Sequence, residues 1–536
     1  MNKLAKFLNA HISGLVTDKP EILAAYSRDM SVLEMMPRFL CIPKTAEDIQ
    51  FILRFSAKLA KKGYKLPIGV RGAGLDTTGA DLTDGLLISM EKFNTIEEID
   101  TRESLVRVKA GITLGELNDA LALFGLELPV VASRKQTIGS LISTALIDEA
   151  AKKYGSIYYF TDRIEVVLPN GEIFQSTSLT KRGIKLAQSK NDDENAKTNT
   201  MVYDLTEKNQ AVIAKIRESV HNRSGYRMVT EVNRENKPFD VLPIFFGAQG
   251  TLGVITEVIL KVQPIQYHTR QYVFEFTSIN QALAFTEKAK GLEPRTMNLY
   301  DGRIFKTLEG LGRKAKLLES NTATAQSAAK FYIYLDFAEN FFRIKKIDRE
   351  IEKLRPLADK SYVNQEKYKA DFNNFNFGLK LYLNSHDVAE KLAIVDKTSI
   401  PAEKLPDFLR NLQSLEQKFH QNLPVFGSLL TDLYSIRPEF DLTDILNRKN
   451  LIFFLQSYAK NVYEIGGSLS GGFAEGRTLS VITSTRTDQE IKEFYHQIRQ
   501  AFDPDGIMSP GVKQGATLTN FVRHLREAPL IGFIEY

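Results

Sequence analysis

A single cysteine, Cys41, is the only thiol in the chain. Internal disulfides, multi-thiolate zinc sites and iron–sulfur clusters each need several, so all three are excluded. Cys41 sits in the apolar run Phe39-Leu-Cys-Ile-Pro43 and reads as a packing residue. No stretch approaches the ~18 uninterrupted apolar residues of a membrane-spanning helix. The opening Met1-Asn-Lys-Leu-Ala-Lys-Phe-Leu-Asn-Ala has no sustained apolar run, which argues against a cleaved secretion signal and for a cytoplasmic location. No element concentrates basic residues as nucleic-acid binders do. A net charge of +5 over 536 residues is mild, compatible at most with weak attraction to an anionic membrane surface.

What is present describes an ordinary folded chain. Hydrophobic residues make up 43% and charged residues 25%, and the length suits two to four domains. Residues 1–36 read as a helical lead-in. A strand over 38–43 ends in proline, and Thr45 with Asp48 predicts the start of a helix that Gly63 stops. Strands follow at 66–70, 85–90 and 105–111. Thr113 with Glu116 predicts another capped helix, and 163–174 a hairpin turning at Asn170-Gly171. Residues 176–205, polar and lysine-rich, read as an exposed insertion. From about Gln266 the texture becomes longer strands and amphipathic helices (271–276, 279–290, 331–337, 344–354, 405–421), an α+β layer.

The segment Arg71-Gly-Ala-Gly-Leu-Asp-Thr-Thr-Gly79 resembles a dinucleotide fingerprint, but its glycine spacing is wrong for one. A Rossmann loop must also open a helix facing the phosphates, and here a strand follows. What remains is a strand–loop–strand in which glycines let backbone amides converge on an anion, with Thr77 and Thr78 as further donors.

The order of motifs resembles the FAD-linked oxidases with a PCMH-type domain, the vanillyl-alcohol-oxidase class. After the glycine loop come Thr137-Ile-Gly-Ser140, Ser143-Thr-Ala145, Tyr154-Gly155, Val167-Leu-Pro-Asn-Gly171, Ser224-Gly-Tyr226, Gly247-Ala-Gln-Gly-Thr-Leu-Gly-Val-Ile-Thr256 and Phe502-Asp-Pro-Asp-Gly-Ile-Met-Ser-Pro-Gly-Val-Lys513. The resemblance implies an α+β protein: a two-subdomain FAD-binding domain over 1–266, a cap domain with an antiparallel sheet over 267–480, and a C-terminal segment, 481–536, returning to the FAD domain. It implies that Arg71, Gly72, Ala73, Gly74, Leu75, Asp76, Thr77, Thr78 and Gly79 hold the pyrophosphate. Thr137, Gly139, Ser140, Ser143 and Thr144 would flank the flavin, with Gly253 and Val254 along the cofactor channel. Members that tether FAD covalently use a histidine in or near the loop, or a cysteine; with Leu75 and Asp76 here, FAD is expected to be non-covalent.

The second half is most similar to the D-lactate, glycolate and 2-hydroxyacid dehydrogenase branch, through Val395-Asp-Lys-Thr-Ser-Ile-Pro401, Val425-Phe-Gly-Ser-Leu-Leu-Thr-Asp-Leu-Tyr-Ser-Ile-Arg-Pro438 and Gly466-Gly-Ser-Leu-Ser-Gly-Gly-Phe-Ala-Glu-Gly476. That branch places metal-binding and proton-accepting histidines and a glutamate where this chain has Ser428, Ser435, Gly472 and Phe473. None of the seven histidines (11, 221, 268, 386, 420, 496, 524) falls there. Its substrate-carboxylate arginine, expected around 375–380, has only Lys380 nearby. Four candidates survive. Arg437 binds an anion or pairs with Glu439 or Asp441; Lys397 is functional or a solvated loop residue. Glu475 accepts a proton near the flavin or caps a turn, and Lys513 lies beside the flavin's N1/C2 carbonyl. The expected reaction is metal-independent hydride transfer from an alcohol or hydroxy acid to flavin N5, with an unidentified electron acceptor. The alternatives are a flavin-binding protein that lost its chemistry, or an NAD(P)H-dependent reductase on the same fold.

Overall fold

Thr45 accepts a hydrogen bond from the backbone of Asp48, whose carboxylate reaches back to the Thr45 amide, and the helix Ala46–Lys61 begins there. Its inward face is Ile49, Ile52, Leu53 and Ala57, the larger of these side chains worth roughly 1.5–3 kcal/mol each when fully buried. Thr113 and Glu116 form the same reciprocal cap on Leu114–Ala122. These elements belong to a computed structural model that describes residues 2–190, 193–219, 222–305, 331–363, 372, 375 and 390–527. His221, His386 and Lys380 lie outside the described residues.

Three sheets organise the chain. The first runs Leu15–Thr17, Phe39–Ile42, Leu86–Ser89, Ile68–Arg71, its last three strands parallel. The second is antiparallel: Ile96–Asp100, Leu105–Lys109, Val254–Lys261, Thr161–Val167, Ile173–Gln175. The third has seven strands, with His268–Phe276, Phe331–Glu339 and Thr296–Asp301 central and the short strands Phe426–Ser428, Leu433–Ser435 and Thr398–Ser399 at one side. The helices Ile279–Lys290, Phe341–Leu354, Leu405–Phe419 and Ile445–Glu464 lie between and beside these strands, and their apolar faces join the core of this last sheet.

Each sheet has its own apolar core. The C-terminal stretch divides among them. Phe494, Ile498 and Phe502 pack with the second sheet, Ile507 and Met508 with the first, Phe521 and Leu525 with the third.

Two readings need correction. The lead-in is not all helical: Leu15–Thr17 is a strand paired antiparallel with Phe39–Ile42, and Asn9 satisfies the amide and the carbonyl of Val16 on its outer side. The polar stretch 176–205 is not a loose insertion. It forms helices Lys181–Gln188 and Glu194–Lys208, capped by Thr180 and Asp193. A narrow stripe of Ile184, Ala187, Ala196 and Val202 is buried, too few apolar residues to register by composition but correctly spaced for one face.

Candidate functional site

The strand Ile68–Arg71 leaves the first sheet at its C-terminal edge, and no helix intervenes before Leu86–Ser89. Between them the glycine loop closes on itself. Asp76 accepts from the Ala80 amide and from the Thr78 hydroxyl, while Met30 donates its amide to the Asp76 carbonyl. Thr78 is therefore turned inward, and Gln249 donates to its hydroxyl at 3.1 Å. Among the described residues, the amides of Gly72, Ala73, Gly74, Leu75 and Thr77 donate to no acceptor. Gly74 has φ +72°, and a Cβ there would lie 2.2 Å from the Arg71 guanidinium; one on Gly72 would lie 2.4 Å from Thr137 Oγ1. Arg71, 9% exposed, stacks over Tyr26 at 5.6 Å and keeps Nη1 without a hydrogen bond, 3.9 Å from Asp81.

Beneath the loop, carboxylate oxygens of Asp29, Asp76 and Asp81 lie within 4.8 Å of one another. Burial, then the neighbouring Asp81 and Asp76, hold the Asp29 carboxyl well above the usual carboxylate range. Burial and Asp81 push Asp76 up to about 6.

The loop forms one end of an open cleft. Gly72 to Thr77 line it, with Thr137, Gly139, Ser140, Ser143 and Thr144 from the helix Ile138–Thr144 and its cap, and Gln249, Gly250 and Gly253 from the approach to the strand Val254–Lys261. Val254 itself is buried behind this lining. Gln249 was not singled out by the sequence, yet it ties the site together, donating to the Ala474 carbonyl and accepting from the Gly476 amide. Its signal was its place in the Gly-Ala-Gln-Gly motif, where the resembled family has glutamate.

The opposite end belongs to the cap: Asp396, Lys397, Phe426, Ser428, Leu433, Ser435, Arg437 and Phe473. Arg437 pairs neither with Glu439 nor with Asp441 but with Asp396, and lies 5.2 Å over the Phe426 ring. Its charge is thus matched within the wall. Lys397, half-buried with φ +49°, donates from Nζ to the Ile147 carbonyl at 3.3 Å, and its amide bonds Ser435 Oγ at 3.0 Å. Ser428, Ser435 and Phe473, three of the positions where the hydroxyacid branch has its metal and proton chemistry, all face this cleft. Gly472 packs on Lys397. The histidines are elsewhere: none of those described lines the cleft. Two serine hydroxyls and a phenyl ring are not a donor set for a divalent metal. Glu149, which no motif marked, completes this end.

Glu475 and Lys513 stand apart from that lining. They form an ion pair at 3.2 Å with side chains 2% and 0% exposed. Glu475 accepts from the Gly225 amide at 2.8 Å, and Lys513 donates to the Gly225 carbonyl at 2.7 Å. Burial pushes the Lys513 ammonium below its ordinary pKa against the opposing pull of Glu475. The pair borders a second, open pocket together with Ser480, Thr483 and Lys492.

A glycine loop at a parallel-strand edge, opposed across one cleft by an antiparallel cap sheet, defines a flavin-dependent oxidase class of fold. A solved structure of p-cresol methylhydroxylase with substrate bound has the same fold, with a TM-score of 0.68 at 12% identity over 97% of each chain. The chain belongs to the FAD-linked oxidases: residues 37–177 match the FAD binding domain and residues 265–512 the FAD linked oxidases C-terminal domain. It is 22% identical over 526 residues to D-2-hydroxyglutarate dehydrogenase of Haemophilus influenzae, covering 94% of this chain and 50% of that protein. It is 21% identical over 474 residues to D-lactate dehydrogenase of Archaeoglobus fulgidus, covering 88% and 89%. The chain thus spans about half the length of the D-2-hydroxyglutarate dehydrogenases it matches. FAD fits the loop end. Unbonded amides and a buried, unsatisfied arginine suit a pyrophosphate, and the crowded glycines keep that space clear. With no histidine or cysteine in the loop and Cys41 fully buried, FAD is held non-covalently.

Proposed function

We propose that this chain is an FAD-dependent dehydrogenase of CH–OH donors that works without a metal. The observation that carries the reading is the single cleft: its loop end fits FAD, and its cap end presents Lys397, Ser428 and Ser435 with no metal-binding set. Bound there, FAD supplies the two-electron acceptor for a substrate C–H, through N5. The glycine loop positions the pyrophosphate, and Thr137, Ser140, Ser143 and Thr144 fix the flavin's wall. Lys397, tethered by Ile147, offers one ammonium to a substrate oxygen. Arg437 is held by Asp396 and shapes the wall instead of clamping a carboxylate, while Phe473 makes it apolar. The substrate is accordingly an alcohol or hydroxy acid with less negative charge than D-2-hydroxyglutarate. Glu475 and Lys513 act as a tie, fastening the C-terminal segment and the 466–476 return to the 224–226 loop. This fits a division into 1–266, 267–480 and 481–536.

The test is anaerobic reduction of the bound flavin by a panel of polyols, sugars and 2-hydroxy acids in the presence of EDTA. Bleaching of the oxidised flavin band by at least one member supports the reading. No bleaching by any member contradicts it, and favours a flavin binder that has lost its chemistry, the second reading motivated by Ser428, Ser435 and Phe473.

A further inference from the structure

Once the proton-accepting histidines are gone, the proposed oxidation lacks a base, because a hydroxyl proton must leave as the carbon gives up hydride. Among the described residues, four carboxylates line the cleft: Asp76, Asp81, Glu149 and Asp396. Asp76 and Asp81 belong to the pyrophosphate end, and Asp396 is committed to Arg437. Glu149 alone stands at the cap end without a cationic partner among the described residues. It follows the helix Ile138–Thr144 and is half-buried. Asn298 donates to Glu149 Oε2 at 2.6 Å, and no described residue bonds its other oxygen. Asn298 lies directly across the cap sheet from Ser428, in register on the neighbouring strand. The same amide reaches the Tyr300 hydroxyl at 3.4 Å. Thus Glu149, from the FAD domain, is pinned by the cap strand beside one of the vacated histidine positions.

We infer that Glu149 is the catalytic base of this site. This rests on the dehydrogenase reading above. The substrate O–H bond breaks and its proton joins the Glu149 carboxylate, while the C–H bond breaks and its electron pair leaves with the hydrogen for oxidised flavin. The carbinol becomes a carbonyl, and the carboxylate becomes a carboxylic acid that returns its proton to solvent through the open cleft. Asn298 is a positioning residue: its amide holds one oxygen and leaves the other for the substrate. Tyr300 and Tyr334 of the cap sheet interact electrostatically with Glu149, Asp148 is its chain neighbour, and Lys397, Asp396 and Arg437 line the same cleft. Lys397 points its Nζ at the Ile147 carbonyl as a hydrogen-bond donor, and an ammonium has no lone pair to accept a proton.

The experiment compares wild type with Glu149→Gln and Asn298→Ala, each purified with FAD. It measures flavin content, substrate Kd from perturbation of the flavin band, and the anaerobic reduction rate from pH 5 to 9. In Glu149→Gln the reduction rate falls at least 100-fold, within the range general-base catalysis supplies. Kd and flavin content change less than threefold, and the rise in rate with pH across the acid limb disappears. Asn298→Ala keeps that limb but moves it and loses roughly tenfold in rate. A Glu149→Gln enzyme reduced within threefold of wild type, with its pH limb intact, overturns the assignment and leaves the dehydrogenase reading standing. A wild type with full flavin content that no panel member reduces overturns that reading, and the assignment with it.

Discussion

The two ends of the cleft solve different problems with different parts of the chain. At the loop end the groups presented are backbone amides left unbonded between glycines that tolerate no Cβ, with the unbonded Arg71 Nη1 close to them. At the cap end everything rests on side chains, and there Ser428, Ser435 and Phe473 depart from the resembled branch. The contrast sets a loop end whose motifs match the resembled family against a cap end whose side chains depart from it, as two parts that vary separately.

The largest effect expected tests whether the buried ion pair belongs to this contrast at all. Removing one partner, as in Lys513→Met or Glu475→Gln, leaves a charge or its hydrogen-bond partners uncompensated and costs about 3–5 kcal/mol of stability. The double variant recovers a large part of that loss, read as midpoints of denaturant unfolding. If Glu475 were instead the proton acceptor, Glu475→Gln would stop flavin reduction while unfolding normally, and the contrast would need redrawing.

Next comes the loop itself. Gly74→Val places a branched side chain at positive φ and against Arg71, and lowers FAD affinity about 100-fold, close to 3 kcal/mol. Flavin absorbance of the desalted protein reads it directly. Full flavin retention would mean that the unbonded amides do not hold the pyrophosphate.

The smallest effect concerns the acids beneath the loop. Asp29 has a raised pKa in the fold, so it binds its proton more tightly folded than unfolded. Its stabilising contribution is in place at low pH and is lost as pH rises out of the ordinary carboxylate range near ~3.9 and through the folded value. Asp76, pushed to about 6, follows the same sign. Asp29→Asn removes that cost, so it stabilises the fold at pH 8 by on the order of 1 kcal/mol, by less at pH 5, and not at all below the ordinary carboxylate range. An Asn variant that melts lower at pH 8 would show the cluster to be charged and favourably compensated.

Much of the loop end was legible in the sequence because its motifs are local. Thr45–Asp48 and Thr113–Glu116 cap helices within four residues, and the absence of a helix after Gly79 separated this loop from a Rossmann turn. The cap end was legible only as a set of departures. Nothing near Glu149 marks it, since its partner Asn298 lies 149 positions away and meets it only when the cap sheet closes over the FAD domain. Arg437 was read against Glu439 and Asp441 for the same reason: its partner Asp396 is remote in sequence. Motif position marked Lys513 and Glu475, but not that the fold would pair them with each other, because they lie 38 residues apart. The helices at 181–188 and 194–208 were hidden by composition, because four buried apolar residues suffice for a helix resting on the outside of a domain.

Whether an FAD site is joined here to a metal-free oxidising end is decided by mixing the flavin-loaded protein anaerobically with the alcohol and hydroxy-acid panel, with and without EDTA. At least one alcohol or weakly charged hydroxy acid is expected to bleach the flavin, at a rate that EDTA leaves unchanged. Bleaching that EDTA abolishes and a divalent metal restores would contradict that expectation.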